Sequence, residues 1–316
     1  MEDRLTLVTG FFDCGRGTHT YQKRTPEEYL KYFEFWAGMQ NPVILFGDAQ
    51  ITQAAYAIRK KRGRAAQTRV VVIDDPIACA PEVYAAMERV EKQGDYKNWR
   101  ERPNDISNEA RYDYVLFMKF WMMRYAAEHW PESGTLVWMD LGFNHGGACY
   151  VKPEEFDFLW KHSFSPDKVH LFALKDMEEE RGYLKLMCMT DSVMGCPIAS
   201  STDKAAMLYE KIRECVLALA ALDLLDDDQM WLTMACKRWP EDFALHRSDW
   251  FMPIKENGGE HLTVKRTAAS GRVTDVIKRR GVLGAMRAAY IKAVHHMSAE
   301  RYDYWKRLKT VLGNYS

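Results

Sequence analysis

Three acidic stretches and two histidines carry the chemistry this sequence offers. Asp140 follows the apolar run Thr135-Leu136-Val137-Trp138-Met139, where a buried strand should end, and stands two residues before Gly142. In open α/β sheets, ligands gather outside the carboxyl ends of strands. Asp140 is therefore placed to hold a cation or a polar ligand group, or more simply to cap the following loop. Gly142 would let backbone come close to such a ligand. The second stretch, Asp226-Asp227-Asp228, precedes Gln229 at the start of a helical pattern. The helix dipole explains part of this clustering. Ionising three adjacent carboxylates nonetheless calls for a nearby cation or ligand hydroxyls. The pair Asp228-Gln229 could hydrogen-bond sugar hydroxyls or act on an acceptor hydroxyl as a general base. Asp74-Asp75 ends a third run. A hard divalent cation on a nucleoside diphosphate needs one or two carboxylates and perhaps an imidazole, with phosphate oxygens filling other positions. Asp140 with His246 would meet that need, and His145 is the second candidate imidazole.

The elements that must position these residues alternate. Leu5 to Phe12 predicts a first strand feeding the loop Asp13-Cys14-Gly15-Arg16-Gly17. That loop lacks the third glycine of a dinucleotide fingerprint, and no helix follows at once. It fits better beside a nucleotide, with Arg16 near phosphate. Thr25-Pro26-Glu27-Glu28 is a helix start, with a cap, a first-turn proline and acids suited to the dipole. Strands follow over Val43 to Phe46, Arg69 to Ile73, Thr135 onward and Val169 to Leu174, with Phe243 to His246 last. Arg69 to Ile73 is Val-rich, as a buried parallel strand should be. Helices are expected over Ile51 to Arg62, Pro81 to Lys92, Glu109 to His129, Thr202 to Ala221 and within Leu224 to Trp239; Leu186 to Pro197 has the look of a strand and turn. Short connections between alternating strands and helices predict an α/β fold: a mainly parallel sheet covered by helices on both faces.

Composition narrows the class. With 316 residues, 47% hydrophobic and 28% charged, the chain has room for one large α/β domain, or for one domain plus a smaller appendage. Lys+Arg and Asp+Glu both total 44, so net charge selects no partner and nothing points to nucleic acid. Seven cysteines without a C-x-x-C pair suggest neither a zinc site nor a disulfide framework. The acidic start Met1-Glu2-Asp3 predicts no signal peptide, and no apolar run is long enough to span a bilayer. A cytoplasmic protein is expected. From Lys265 on, basic residues such as Arg272, Lys278, Arg279, Arg280 and Arg287 dominate, with apolar residues between them near helical spacing. A basic amphipathic helix of that kind reads as a membrane-surface or partner-binding element, or as a solvated helix packed on the domain. The expected division is a catalytic domain over residues 1–260 and a basic helical extension over 261–316. There is no P-loop, no G-x-S-x-G elbow and no H-E-x-x-H.

Several motifs together resemble a known family. They are Leu7-Val8-Thr9-Gly10-Phe11-Phe12-Asp13-Cys14-Gly15-Arg16-Gly17, the helix Arg24 to Trp36 followed by Gln40-Asn41-Pro42, Tyr114 to Lys119, the Val137 to Gly142 strand end, and Asp227-Asp228-Gln229. In this order they are similar to the HtrL/YibB (WlaTC/HtrL) family, glycosyltransferase-like proteins associated in bacteria with lipopolysaccharide or lipooligosaccharide assembly. The resemblance implies a GT-A-like (Rossmann-like) fold and a nucleotide-sugar donor, with a UDP-sugar favoured. GT-A enzymes hold Mn²⁺ or Mg²⁺ with a D-x-D motif, of which Asp140-Leu141-Gly142 keeps only the first acid. Asp228-Gln229 is similar to an Asp-Gln turn that contacts the donor sugar in some of them. On this reading the protein is a metal-dependent glycosyltransferase moving a hexose to a glycan or glycolipid acceptor. Phe11, Phe12, Asp13 and Arg16 would border the nucleotide, Lys119 would neutralise phosphate, and Gln229 would touch the donor. Asp140 and His246 would hold the metal, and Asp227 or Asp228 would serve the sugar or the acceptor hydroxyl. The rivals are a nucleotidyltransferase, which also needs carboxylates and a metal, and a non-catalytic module docking on anionic membranes. Peripheral binding at the inner membrane face is also compatible with the enzyme reading.

Overall fold

The computed structural model describes residues 5–15, 17, 24–99, 109–177, 186 and 191–265. Arg16 and the basic extension after Lys265 lie outside the described residues.

Among the described residues, seven strands form one sheet. They are β1 (Leu5–Phe11), β2 (Val43–Gly47), β3 (Thr68–Val72), β4 (Thr135–Trp138), β5 (Val169–Ala173), β6 (Ile198–Ser201) and β7 (Phe243–Arg247), in the order β3-β2-β1-β4-β6-β5-β7. β3, β2, β1 and β4 run parallel. β6 is antiparallel to both β4 and β5, and β5 is parallel to β7. One reversed strand in an otherwise parallel sheet gives the mainly parallel, Rossmann-like α/β architecture expected. Period-two alternation sends neighbouring residues to opposite faces. Val8, Ile44, Phe46, Leu136 and Trp138 enter one apolar core, and Leu7, Val43, Leu45, Val137 and Met139 enter the other.

Helices cover both faces. On the first lie α3 (Pro81–Gln93), α4 (Ala110–His129), α5 (Thr202–Ala221) and α6 (Asp228–Arg238). On the second lie α1 (Pro26–Trp36), α2 (Ala49–Lys61) and the short α7 (Pro253–Glu256). α1 starts with a complete capping box, in which Thr25 Oγ1 accepts from the Glu28 amide and Glu28 accepts from the Thr25 amide. Buried Arg59 on α2 donates to the carbonyls of Ala37, Met39 and Asn41 and to Thr68 Oγ1, tying α2 to the turn before β2 and to β3. Burial, with Arg64 nearby, pushes its pKa down to about 10.

One expectation is corrected. β3 is an edge of the sheet rather than a buried strand, with Val70 and Val72 exposed. Valine suits an edge as well as a centre, because its β-branch favours extended backbone in either place. Part of the strand and turn expected within Leu186 to Pro197 lies outside the described residues; among those described, Val193 bridges to Ala173 and β6 begins just beyond Pro197. Among the described residues, no helix is long and apolar enough to cross a membrane.

Candidate active site

β1 and β4 end side by side, and a cleft of about 540 Å³ opens beyond them. Its first wall is α4, with Tyr112, Val115, Leu116, Lys119 and Met122, joined by Asp227, Asp228 and Gln229 at the start of α6. Its second wall is aromatic. Phe11 packs on Tyr29 at 4.6 Å between ring centroids, and Tyr29 on Tyr32 at 6.1 Å. His145 lies 5.9 Å from Tyr32 and 5.4 Å from Phe251, and Trp250 continues the series at 6.4 Å from Phe251. Trp250 is 41% exposed, so an indole faces solvent at the rim of this wall.

Lys119 binds the floor together. Its ammonium donates to Asp228 and, at 3.0 Å, to the Gly195 carbonyl, and it lies 3.7 Å from Asp140 Oδ1. Burial works against the charged amine, but the carboxylates of Asp140 and Asp228 overcome it and hold its pKa above that of an ordinary lysine. Asp140 Oδ1 also accepts from Trp138 Nε1 at 2.6 Å, and about half of the Asp140 side chain remains exposed. Gly195 is required where it stands, because a Cβ there would lie 1.9 Å from Asp228 Oδ2. Burial pushes the Cys196 thiol up, helped by Asp140, and its Sγ accepts from the Asp140 amide at 3.2 Å. The thiol is thus a neutral packing group.

Of the residues singled out from sequence, Phe11, Phe12, Lys119, Asp140, Asp227, Asp228 and Gln229 all line this one cleft. Asp227 caps α6 by accepting from the Gln229 amide at 3.1 Å. The Gln229 side chain is held at both ends, accepting from the Ser192 amide and donating to Asp191. Lys119 is committed to carboxylates instead of standing open to phosphate. Asp13 does not line the cleft; its carboxylate accepts from the Gly15 amide in a local turn, and its carbonyl accepts from Arg111. His246 does not line it either. It projects from β7 onto its neighbour β5, where Nε2 lies 2.9 Å from His170 Nδ1 and the two rings stack. Strand pairing explains this, since Phe172, two residues beyond His170, is the partner of His246 in the ladder. His145, the second candidate, is the imidazole that reaches the cleft. Asp75 caps the turn after β3 by accepting from the Ile77 amide. The close approach at Gly142 is made by a protein ring: a Cβ there would lie 2.9 Å from Tyr29.

Arg24, Tyr29, Asp191, Trp250 and Phe251 also line the cleft and were not legible as site residues. Arg24 carried one signal, its place directly before the Thr25 cap. The others arrive through contacts between distant stretches. Backbone conformation marks the same region: Asn144, His145 and Phe251 have φ of 62°, 43° and 66°, in the left-handed region that non-glycine residues avoid.

Sheet order, helices on both faces and an acid-lined cleft at the ends of β1 and β4 define a mainly parallel, Rossmann-like α/β protein. The HtrL_YibB family model, described as a bacterial protein of unknown function, matches residues 3–255, and the chain belongs to that family. Protein HtrL of Escherichia coli (strain K12) is 26% identical over 272 residues, covering 79% of this chain and 91% of the relative. The crystal structure of mouse xyloside xylosyltransferase 1 in its apo form is similar over 77% of this chain and 85% of that one, with 12% identity and a TM-score of 0.40. That superposition is too loose to carry an argument.

Proposed function

We propose that this protein is a glycosyltransferase that moves a sugar from a nucleotide diphosphate donor, a UDP-sugar in the favoured case, to a hydroxyl of a glycan or glycolipid. The observation that carries the reading is the Lys119 ammonium at the cleft floor, drawn between Asp228 from the start of α6 and Asp140 beyond β4. Acids from separate stretches meet there, at the carboxyl ends of parallel strands, where such a sheet receives its ligand.

The cleft has the parts this reaction asks for. Rings of Phe11 and Tyr29 at the end of β1 offer a surface for a base. Asp227 and Asp228 offer carboxylates to sugar hydroxyls or to the acceptor hydroxyl, and Lys119 keeps Asp228 in place. Exposed Trp250 offers an aromatic face to the C–H face of a sugar ring.

A divalent cation fits the charge of the lining. Among the described residues, four carboxylates (Asp140, Asp191, Asp227 and Asp228) face two cationic side chains, Arg24 and Lys119. A diphosphate would add negative charge to an already acidic site, and a cation arriving with it offsets that excess. Among the described residues no group of three or more His, Cys, Asp or Glu side chains gathers to hold a metal. Half-exposed Asp140 is the ligand such an ion would use, with phosphate oxygens and water completing its shell. Bound Mn²⁺ or Mg²⁺ would stabilise the negative charge that develops on the departing diphosphate.

A thermal-shift screen of nucleotide sugars, with Mn²⁺ and with EDTA, tests the reading, because a ligand of the native state raises its stability in proportion to affinity. At least one donor should raise the Tm, more so with Mn²⁺. Product mass spectrometry then separates sugar transfer, which releases nucleoside diphosphate, from nucleotidyl transfer, which releases pyrophosphate. Pyrophosphate as the product would replace the glycosyltransferase reading with the nucleotidyltransferase one.

A further inference from the structure

Resting on the donor reading above, we infer that Arg24, held across the cleft mouth by His145, is the cation that grips the donor's diphosphate. Among the described residues two cationic side chains line the cleft, and Lys119 is committed to Asp228 and Asp140. Among the described residues, no carboxylate pairs with Arg24. Its partner there is an imidazole: Arg24 Nη1 lies 3.2 Å from His145 Nε2. A guanidinium can only donate, so Nε2 is the acceptor and the imidazole carries its proton on Nδ1. A neutral ring used in this way aims the guanidinium without cancelling its charge.

The mount for that ring is built at the expense of backbone strain. Asn144 and His145 both sit in the left-handed region. Buried Asn144 holds them there through its side chain, which donates to the Tyr150 carbonyl at 3.0 Å and accepts from the Cys149 and Tyr150 amides at 2.8 Å each. Phe251 and Tyr32 flank the imidazole. Strain that the surroundings over-determine marks places where side-chain position matters. Arg24 itself directly precedes the capping box of α1, which fixes the chain leading into the helix. One guanidinium N–H bonds His145, and others remain for two phosphate oxygens, a fork that lysine cannot reproduce.

Calorimetric titration of the full chain with UDP, GDP and ADP, each in MnCl₂ and in EDTA, tests the inference, with the matching nucleoside as the phosphate-free probe. For whichever diphosphate binds, Arg24→Ala should weaken affinity about 10- to 100-fold, as loss of a hydrogen bond to a charged group implies. Nucleoside binding should stay within about twofold, because the lost contact is to phosphate. Arg24→Gln, similar in length but uncharged, repeats the question should the alanine variant melt early. Diphosphate affinity unchanged in both variants overturns the role of Arg24 and leaves the donor reading standing. A wild-type protein that binds none of the three diphosphates overturns both.

Discussion

Lys119 and Asp228 are 109 residues apart in sequence and form the ion pair buried in the floor of the cleft. Neither side chain is more than 9% exposed. Removing one partner of a buried pair leaves the other charge uncompensated, a loss of about 3–5 kcal/mol. Lys119→Met should therefore lower the Tm by many degrees and abolish donor turnover, because Asp140 and Asp228 then repel across the floor. Chemical denaturation of Lys119→Met beside a Lys119→Met/Asp228→Leu double variant checks this. The double variant should regain part of the stability and none of the activity, since the apolar pair no longer leaves a lone buried charge.

Gly195 gives a sharper test of position. A Cβ at that residue would overlap Asp228 Oδ2, which Lys119 holds in place. Gly195→Ala should displace the carboxylate and cut turnover at least about tenfold, the effect of one lost charge-assisted hydrogen bond. Far-UV circular dichroism should stay at the wild-type spectrum. Full turnover in the folded variant would mean that the position of Asp228 is immaterial.

Trp250 should matter to the acceptor and not to the donor. Trp250→Ala removes an exposed ring that no core depends on, so its Tm should stay close to wild type. Diphosphate affinity should be unchanged, while KM for a glycan acceptor rises several-fold. Parallel binding and steady-state measurements separate these effects.

The His170–His246 contact predicts a pH dependence of stability. Burial lowers both pKa values, and the His170 and His162 charges lower that of His246 further. Asp167, together with the hydrogen bond to the Ser165 carbonyl, opposes the shift at His170. Because the folded state disfavours the protonated rings, the unfolded chain binds more protons as pH falls. The contribution is fully present above the unfolded histidine pKa of about 6.5. It fades as pH drops through that value toward the lower folded ones. Melting curves from pH 7.5 to 5.5 should show a falling Tm, and His246→Phe should flatten that slope; an equal slope in the variant would place the proton uptake elsewhere.

Much of this arrangement is written in local sequence. Asp140 follows a short apolar strand, and Asp227 is followed by helical residues, so strand-end and helix-start rules find both. Their meeting on Lys119 needs the sheet order, which brings the end of β4 near the start of α6. Lys119 looks like one polar residue on a long aromatic helix, and only α6 packed over it makes it a buried cation. His246 shows the opposite case: a strand-end histidine suited to a metal by type is turned by ladder register onto His170. The aromatic wall from Phe11 to Trp250 draws on β1, α1, the loop after β4 and the turn after β7. No single stretch could announce it.

The most direct test of the central claim is to incubate the purified protein with the nucleotide sugar that stabilises it best and to measure release of nucleoside diphosphate, with and without acceptor glycans. The account predicts slow release to water, acceleration by the right acceptor with a sugar-bearing product, and loss of both in Asp140→Ala and Asp228→Asn. Release at the wild-type rate in both variants under saturating Mn²⁺ would contradict it.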